Sequence, residues 1–429
     1  MNGSASEGAE AGDASPRDAL VIGAGIAGLV AARELVLQGY TVRVLEADSV
    51  AGGQIRAQEI AGLRLDVGAD SFATRDDVMR DYLGRLGLGE RIVRRREATT
   101  WLHSAEDRCV RLPEMSLLGI PSAPLSADVV SITGTRHAWR GMLDAVMPGP
   151  WGARSATLGG LVRRRMGDGV LEKLVAPVVD DRHRRHPDEL PVSAVPGLVH
   201  HLLRENSLSR AVTRLRLDAP AHGETASLAG GMTVLVDALL TELDRFGVSV
   251  LYGTRVAEVH EKGVVVATAD PDRDGEHIAG RVIVAAPGLV GAGTRAAVHV
   301  VTLVLDGSGI EGAPRGSRVV VARGSSVRAR ALDHVSATWE WVREVAHDRE
   351  VLRLTYESDV TAEQARADAS RVMGTEVSSR SVLGSAVTTW HRADAVDATA
   401  SIPMVGEQIA GPDLAAIIAH AQRTVRALS

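Results

Sequence analysis

Residues 20–56 read LVIGAGIAGLVAARELVLQGYTVRVLEADSVAGGQIR, and this stretch decides the fold of the chain. The apolar run at residues 19–22 predicts a buried strand, and residues 40–45 predict the next one. Between them, a G-x-G-x-x-G pattern stands at the turn into a long apolar helix. This order predicts a strand–turn–helix–strand unit, which is the building block of a parallel sheet covered by helices.

The glycines of this turn are typical of a dinucleotide site. Gly23 allows the tight turn, Gly25 lets the backbone approach a pyrophosphate, and Gly28 lets the helix pack closely on its strand. The helix N-terminus then offers free N–H groups and the positive end of its dipole to the phosphates. Glu46 follows Gly23 by 23 residues and is placed to accept hydrogen bonds from an adenosine ribose.

A second glycine pair indicates which dinucleotide is bound. Gly52 and Gly53 permit another close approach of the backbone, and Arg56 supplies a charged fork for phosphate. A nicotinamide site does not require this addition; the alternative is a glycine-rich surface turn with a solvated arginine. The arrangement resembles the amine-oxidase-like superfamily of flavoproteins, and the resemblance implies FAD as the cofactor.

Composition and charge narrow the class of protein. The chain has 429 residues, of which 45% are hydrophobic and 24% charged, as in ordinary globular proteins. The net charge of −6 argues against non-specific binding of nucleic acid. Cys109 is the only cysteine, so a reducing cytoplasm is expected. No secretory signal and no transmembrane segment is predicted.

The predicted fold class is α/β, with a Rossmann-type FAD-binding domain built from three chain segments, an α+β substrate domain and a helical insertion. The expected boundaries are a disordered tail at 1–17, the FAD-binding segments at 18–92, 213–289 and 399–429, the helical insertion at 93–212, and a substrate-domain sheet at 290–398.

Motifs along nearly the whole chain resemble the protoporphyrinogen/coproporphyrinogen oxidase family, and most of all the coproporphyrinogen III oxidases of Gram-positive, high-GC bacteria. They are DVGADSFATR (66–75), ITGTRHAWRGMLDAVMPGP (132–150), TLGGLVRRRMGDGVLEKLVAPVV (157–179), HPDELPVSAVPGL (186–198), SLAGGMTVLVDAL (227–239), GTRVAEV (253–259), RARALDHVSATWEW (328–341) and PMVGEQIAGPDLAAIIAHA (403–421).

This resemblance implies roles for residues in each FAD-binding segment. The turn would hold the pyrophosphate, Glu46 the ribose, the second glycine pair the flavin side, and Val256 the adenine through its backbone. The residues expected to bind the cofactor are Gly23, Ala24, Gly25, Ile26, Ala27, Gly28, Glu46, Ala47, Gly52, Gly53, Arg56, Val67, Gly68, Ala69, Asp70, Val256, Gly406, Glu407, Gly411 and Leu414.

The resemblance also implies a reaction. Members of the family oxidise a porphyrinogen in hydride-equivalent steps to flavin, and oxygen then reoxidises the flavin with release of peroxide. The expected conversion is coproporphyrinogen III to coproporphyrin III in haem biosynthesis, with handover of the porphyrin to a ferrochelatase. No catalytic residue is assigned, because tautomerisation of the macrocycle can move its protons.

A tetracarboxylate macrocycle would need cations and flat walls. The candidate arginines are Arg94, Arg95, Arg96, Arg163, Arg164, Arg165, Arg182, Arg184 and Arg185, and the candidate aromatic walls are Trp339, Trp341 and Trp390. For each arginine cluster the alternative is a solvated surface, and for each tryptophan it is the core. His183 and His186 stand near Asp180 and Asp181, but a charged loop explains this pattern better than a metal site.

Some segments depart from the family pattern. Residues 180–185 replace a small glycine-containing turn near the substrate cleft, and the connections 287–298 and 390–402 are short. Asp413 stands where a second glycine is common in the closing motif, which adds a Cβ and a negative charge. Two alternatives therefore remain: another flavin amine oxidase, although neither Lys173 nor Lys262 lies in a suitable motif, and a degenerate protein that binds FAD or porphyrin without turnover.

Overall fold

The computed structural model describes residues 17–74, 77–96, 99–218, 225–267, 274–290, 295–307, 310, 314–393 and 402–428. The tail predicted at 1–17 lies outside these residues except for Arg17. The strands are, in chain order, β1 (Asp18–Ile22), β2 (Thr41–Leu45), β3 (Ala57–Ile60), β4 (Leu63–Asp66), β5 (Phe72–Ala73), β6 (Ile92–Arg94), β7 (Thr100–His103), β8 (Cys109–Arg111), β9 (Ser116–Leu117), β10 (Ile120–Pro121), β11 (Thr225–Leu228), β12 (Ser249–Leu251), β13 (Arg255–His260), β14 (Gly263–Ala267), β15 (His277–Ala279), β16 (Arg281–Val284), β17 (Arg295–Asp306), β18 (Arg318–Val321), β19 (Ala331–His334), β20 (Arg349–Tyr356) and β21 (Val382–Ala393).

Helices cover both sheets and form a lobe of their own. The α-helices are α1 (Ile26–Leu37), α2 (Val78–Arg85), α3 (Ala127–Thr133), α4 (Thr135–Met142), α5 (Leu158–Met166), α6 (Asp168–Val170), α7 (Ala176–His183), α8 (Leu198–Glu205), α9 (Leu208–Asp218), α10 (Thr233–Arg245), α11 (Val335–Thr338), α12 (Glu340–Ala346), α13 (Ala362–Met373), α14 (Glu407–Ala410) and α15 (Leu414–Arg426).

The dinucleotide layer is a parallel sheet in the order β12-β2-β1-β16. A parallel bridge between Val284 and Met404 brings the last chain segment to the edge of this sheet. The layer is therefore assembled from three separated parts of the chain. Helix α1 packs between the sheet, α10 and α15, and its residues from Ala27 to Leu35 are all buried, including the paired Arg33 and Glu34.

A second sheet has the order β21-β17-β20-β19-β18-β7-β8 and carries the α+β part of the fold. Strands β7 and β8 come from the segment that sequence reasoning assigned to the helical insertion. They are short and have no clear apolar period, and β7 is ordered by its parallel pairing with β18. The extended conformation of β7 therefore comes from its pairing with a strand that is distant in sequence, and not from the propensity of its own residues.

The helical lobe runs from α3 to α9 around one apolar core that includes Leu161, Leu174 and Leu202. Within this lobe, α6 leads through a π-turn (Leu171–Val175) into α7, which continues to His183. Among the described residues, the longest apolar helices fall short of what is needed to cross a bilayer.

Candidate functional site

The glycine-rich turn sets the distance between β1 and α1. A Cβ on Gly28 would lie 1.9 Å from the carbonyl oxygen of Gly23, so only glycine permits this close packing of helix on strand. The first turn of α1, with Ile26 and Ala27, then forms part of a cavity wall. Backbone N–H groups at this helix start point toward that cavity, as an anion site requires.

The second glycine pair lies directly against this turn. The Gly52 amide donates to the Ala24 carbonyl at 2.8 Å, and Gly25 and Gly52 form an isolated parallel bridge. Gly53 has a φ of 60°, and a Cβ there would lie 3.1 Å from the Cα of Gly25. The two motifs therefore form one side-chain-free backbone surface, which a pyrophosphate can approach closely.

Glu46 ends β2 at the other side of this surface. Its Oε2 accepts a hydrogen bond from the Ala24 amide at 2.6 Å, and its Oε1 accepts one from the Asp48 amide at 2.9 Å. These two N–H groups hold the carboxylate in a fixed orientation at the cavity wall. A carboxylate in this place can accept ribose hydroxyl hydrogen bonds.

Arg56 lies beside the glycine pair rather than apart from it. Its Nε donates to the Gly53 carbonyl at 2.9 Å, and its guanidinium forms an ion pair with Asp48. The side chain lines the cavity and is more than a third exposed. The arginine therefore lies at the edge of the backbone surface that the two glycine motifs form.

The Gly68–Ala69 loop is held from the second sheet. Arg353 on β20 is buried, donates to the Gly68 carbonyl and pairs with Asp70 at 2.7 Å. The Ala69 amide donates to the Gln54 carbonyl at 2.8 Å. This loop therefore fixes the sheet that would carry the substrate against the cofactor layer.

A buried carboxyl group lies next to this loop. Asp66 accepts a hydrogen bond from the Met232 amide at 2.8 Å, and its other oxygen has no hydrogen-bond partner in the structure. Burial raises the pKa of Asp66 to about 7, and the charge of Asp70 adds to this rise, whereas the Met232 hydrogen bond opposes it.

The last chain segment closes the cavity. Glu407 accepts a hydrogen bond from Gln54 Nε2 at 2.7 Å, so the second and third motifs are linked by side chains. Asp413 caps α15, because its carboxylate accepts the Ala415 amide at 2.9 Å. Asp413 has a φ of −79°, so the backbone at this position does not require a glycine.

These elements enclose one cavity of about 1070 Å³. The predicted residues that line it are Gly23, Gly25, Ile26, Ala27, Glu46, Ala47, Gly52, Gly53, Arg56, Gly68, Ala69, Val256, Glu407 and Leu414. The remaining predicted residues lie behind this wall and support it: Ala24, Gly28, Val67, Asp70, Gly406 and Gly411.

The cavity fits FAD. Its volume is at the upper end of small-molecule sites, which a long dinucleotide needs. The bare backbone surface at Gly25 and Gly53, the oriented Glu46 and the cation of Arg56 supply the three contacts that such a ligand requires. Val256, expected at the adenine, lies on β13 in the same wall.

The cavity wall also carries a cation and an aromatic ring. Arg182, in the last turn of α7, and Trp390, on β21, both line this cavity. Two carboxylate–guanidinium pairs fix the end of α7: Asp181 with Arg318, and Asp180 with Arg323. The structure thus places one of the predicted arginines and one of the predicted tryptophans at the cavity.

The other predicted substrate residues lie elsewhere. Arg95 is half-buried and donates to Ser317, and Arg96 pairs with Glu340. Arg163 and Arg165 pair with acidic residues of the helical lobe, and neither Arg184 nor Arg185 lines the cavity. These arginines do not line this cavity, because a long side chain takes its direction from its partner, which the sequence does not reveal.

Trp339 and Trp341 are core residues rather than cavity walls. Both pack with Val335 and Val342 beneath β20. Asp180 and Asp181 stand near His183 and His186 in the sequence, a pattern for which a metal site was the alternative interpretation. In the structure both carboxylates bind arginines. No cluster of metal-ligating side chains occurs among the residues that the structure describes.

Sequence reasoning missed several cavity residues. Polar and aromatic side chains near the end of β21 line the wall, as do residues that follow β16 and precede β13. These are Thr388, Thr389, His391, Gly288, Leu289 and Thr254. The TTWH run at 388–391 interrupts the apolar pattern of its strand. This interruption was the feature of the sequence that could have indicated residues of a cavity wall.

Comparison with known proteins gives a family. The model for flavin containing amine oxidoreductases matches residues 26–292. The coproporphyrinogen III oxidase of Mycobacterium leprae is 28% identical over 369 residues, which cover 79% of this chain and 77% of that protein. The coproporphyrinogen III oxidase of Mycobacterium bovis is 28% identical over 232 residues, and this match spans about half of that protein, 51%.

Solved structures agree on the fold. A candidate protoporphyrinogen oxidase from Exiguobacterium sp. 255-15 superposes with a TM-score of 0.81 at 20% identity and covers 96% of this chain and 99% of that one. These findings confirm the predicted Rossmann-type fold, the resemblance to the porphyrinogen oxidases and the FAD cofactor.

Proposed function

This chain belongs to the flavin-containing amine oxidoreductases, a family of FAD-dependent oxidoreductases, and we propose that within it the chain is an oxygen-dependent coproporphyrinogen III oxidase. The observation that carries the proposal is that a tryptophan and an arginine line the same cavity as the dinucleotide motifs. A flat apolar ring and a guanidinium suit a flat macrocycle that carries carboxylates. Coproporphyrinogen carries four propionates.

The FAD-binding residues divide into three groups by task. Gly25 and Gly53 would let the pyrophosphate lie against the backbone, Glu46 would orient the ribose, and Arg56 would offset phosphate charge. The Gly68–Ala69 loop would hold the ring end, since Arg353 fixes that loop from the second sheet. Bound FAD would supply the hydride acceptor, and oxygen would restore its oxidised form.

The protein's own part in the reaction is to bind, orient and exclude water. Arg182 would pair with a substrate carboxylate, and Trp390 would lie against the ring face. The macrocycle can pass its protons by tautomerisation, so we assign no general base. The handover of coproporphyrin to a ferrochelatase is part of the same proposal.

The positions of the two lysines argue against the alternative function, that of an amine oxidase. Lys173 lies 3.4 Å from Glu106 in the helical lobe, and Lys262 stands in the turn between β13 and β14. Neither is part of the cavity wall, so no lysine of this cavity can hold water against a flavin ring.

Turnover of defined porphyrinogens tests the proposal. The purified protein, reconstituted with FAD, is given coproporphyrinogen III or protoporphyrinogen IX while porphyrin fluorescence and peroxide are followed. We expect oxidation of coproporphyrinogen III with matching peroxide. The variant Arg182→Gln should raise the KM several-fold with little change in kcat, whereas Arg185→Gln, outside the cavity, should behave as wild type.

Each other outcome contradicts part of the proposal. Bound flavin without turnover of either porphyrinogen would make the protein an FAD- or porphyrin-binding protein. Preference for protoporphyrinogen IX would overturn the substrate, and equal behaviour of Arg182→Gln and Arg185→Gln would remove Arg182 from substrate binding. The variant Gly53→Val serves as the flavin-free control, because its side chain would enter the phosphate surface.

A further inference from the structure

The last turn of α7 is tied to the second sheet by two consecutive carboxylates. Asp181 accepts hydrogen bonds at both oxygens from one terminal nitrogen of Arg318 on β18, at 2.7 Å and 3.0 Å. Asp180 accepts two parallel hydrogen bonds from Arg323, both at 2.7 Å, and it also pairs with Arg330. Parallel bonds of this kind fix direction as well as distance. We call these five residues the α7 clamp.

Burial makes the α7 clamp necessary. Asp180 is 5% exposed, and the side chain of Asp181 is 15% exposed. A carboxylate in such a place needs a cation as partner, because its charge would otherwise be buried without compensation. Arg318 also pairs with Asp333 on the neighbouring strand β19. The α7 clamp therefore holds the end of the helix against two strands of the second sheet.

The backbone at the end of α7 indicates that contacts outside the helix decide where it stops. Arg184 has a φ of 52° and a ψ of 34°, in the left-handed region that residues with a Cβ disfavour and that glycine usually fills at a helix end. Its amide donates to the Asp180 carbonyl at 2.8 Å. The helix thus ends without the residue type that ends a helix most easily, and the α7 clamp on the same turn supplies the constraint.

Arg182 follows Asp181 directly. Consecutive side chains of an α-helix point about 100° apart, so Asp181 can reach the sheet while Arg182 reaches the cavity that it lines. Among the described residues of the cavity wall, Arg182 is the one that the helical lobe contributes. The position of its guanidinium in the cavity therefore depends on how the lobe is held against the second sheet.

We propose that Asp181 and Arg318 are positioning residues for the substrate: they hold the end of α7 so that Arg182 meets a carboxylate of the macrocycle. This inference rests on the proposed function and adds to it the residues that fix the position of its cation. Misplacement of a binding group by about 1 Å is enough to lose much of its contribution. The flavin-binding surface is built from other segments, so a loosened α7 clamp should weaken substrate binding and leave FAD binding unchanged.

Binding of the product and turnover of the substrate together test this role. The FAD-loaded protein is titrated with coproporphyrin III while porphyrin absorbance is followed, and KM and kcat are measured with coproporphyrinogen III. Asp181→Asn should raise the Kd for coproporphyrin III and the KM by about fivefold, with kcat and the Kd for FAD within about twofold of wild type. Arg318 keeps Asp333 as a partner in this variant, so the fold should persist.

A double-mutant cycle tests whether Asp181 acts through Arg182. If it does, Asp181→Asn should have no further effect on coproporphyrin III binding in a chain that already carries Arg182→Gln. Arg323→Gln gives a second, milder change, because Arg323 is 66% exposed and Arg330 still pairs with Asp180. This variant should raise the Kd for coproporphyrin III by about twofold.

Asp188→Asn is the matched control. It also removes a carboxylate of the helical lobe that binds an arginine through two hydrogen bonds, both at 2.8 Å to Arg163, but neither residue lines the cavity. The control should bind coproporphyrin III as wild type does. Thermal unfolding checks that each variant is folded at the assay temperature.

Three results would overturn the inference. If Arg182→Gln weakens binding of coproporphyrin III and Asp181→Asn does not, the α7 clamp has no part in positioning. If Asp181→Asn causes equal losses with and without Arg182→Gln, or the same loss as Asp188→Asn, its effect is on the fold in general. Wild-type protein that neither binds coproporphyrin III nor oxidises coproporphyrinogen III would remove the proposed function, and this inference with it.

Discussion

At the scale of single residues, Asp413 has two opposed effects. It caps α15 through the Ala415 amide, and it also lines the cavity where an anionic cofactor would lie. An acidic side chain favours a helix N-terminus, but its charge repels phosphate at the same place. Asp413 therefore serves as a helix cap at a position where its charge would oppose the binding of a phosphate.

We predict that Asp413→Asn binds FAD more tightly, by about two- to fivefold, because asparagine keeps the cap and removes the charge. Asp413→Ala should lower the free energy of unfolding by about 1 kcal/mol through loss of the cap. Titration of the apoprotein with FAD and urea unfolding measure the two effects. Unchanged affinity in Asp413→Asn would mean that the carboxylate does not face a cofactor phosphate.

Asp66 should make stability depend on pH. Its pKa is raised from 3.8 to about 7 in the folded chain, so folding keeps a proton that the unfolded chain releases in this window. The free energy of unfolding therefore falls as pH rises from about 4 to 7 and loses this dependence above it. Asp66→Asn can still accept the Met232 amide and removes the titrating group.

The measurement is the difference in melting temperature between wild type and Asp66→Asn across pH. We expect this difference to change in favour of the variant as the pH is raised from 5 to 8. Because His103 and His420 titrate alike in both proteins, their contribution cancels in the comparison. A difference that stays constant over this range would contradict burial of an uncharged Asp66.

At the scale of elements, the buried pair Asp144–Arg165 organises the helical lobe. The Asp144 carboxylate accepts hydrogen bonds from the Leu208 and Ser209 amides at the start of α9, while Arg165 reaches four carbonyl groups. The pair thus fixes α4, α5, α8 and α9 relative to one another. It is charge placed inside an apolar core, so both partners are needed.

Arg165→Met should lower the free energy of unfolding by about 3–5 kcal/mol, because Asp144 would remain buried with its partner removed. Arg163→Met is the matched control on the same helix. Arg163 also pairs with carboxylates, but it is 39% exposed, and its loss should cost less than about 1 kcal/mol. Urea unfolding compares the two, and equal costs would contradict the role given to the buried pair.

The sequence predicted those parts of the fold that residues close together in the chain determine, and it did not predict those that depend on distant residues. The turn at Gly23 to Gly28 was predictable because only glycine fits that backbone, and the requirement is met within a few residues. Strand β7 was not, because its partner β18 lies more than 200 residues away, and β8 in turn pairs with β7. Arg182 was predicted only as one member of a cluster, since the direction of its side chain depends on the helix end that Asp180 and Asp181 fix.

At the scale of the whole molecule, the FAD cavity is the meeting point of three chain segments and the second sheet. Gly52 binds the first motif, Gln54 binds the third through Glu407, and Arg353 binds the loop at Gly68. A ligand in this cavity contacts all of them at once. Binding of the ligand should therefore stabilise the whole fold against unfolding, and not one segment alone.

We predict that removal of FAD lowers the melting temperature of the entire chain and that added FAD restores it. At a free concentration of about 100 times Kd, the gain should be about 2.7 kcal/mol. Differential scanning calorimetry with and without FAD gives the measurement, and Gly53→Val should show no gain. A transition that splits in two, with only one part sensitive to FAD, would contradict cooperative assembly.

The parallel pairing of β1 with β16 also has a consequence for biosynthesis. More than 250 residues separate the two strands, so β1 leaves the ribosome roughly 13–50 s before its partner at ordinary elongation rates. During that time an apolar strand edge has no native neighbour, and Met404 is made later still. Nascent chains of this protein should therefore depend on holding chaperones, and flavin capture should be a post-translational event.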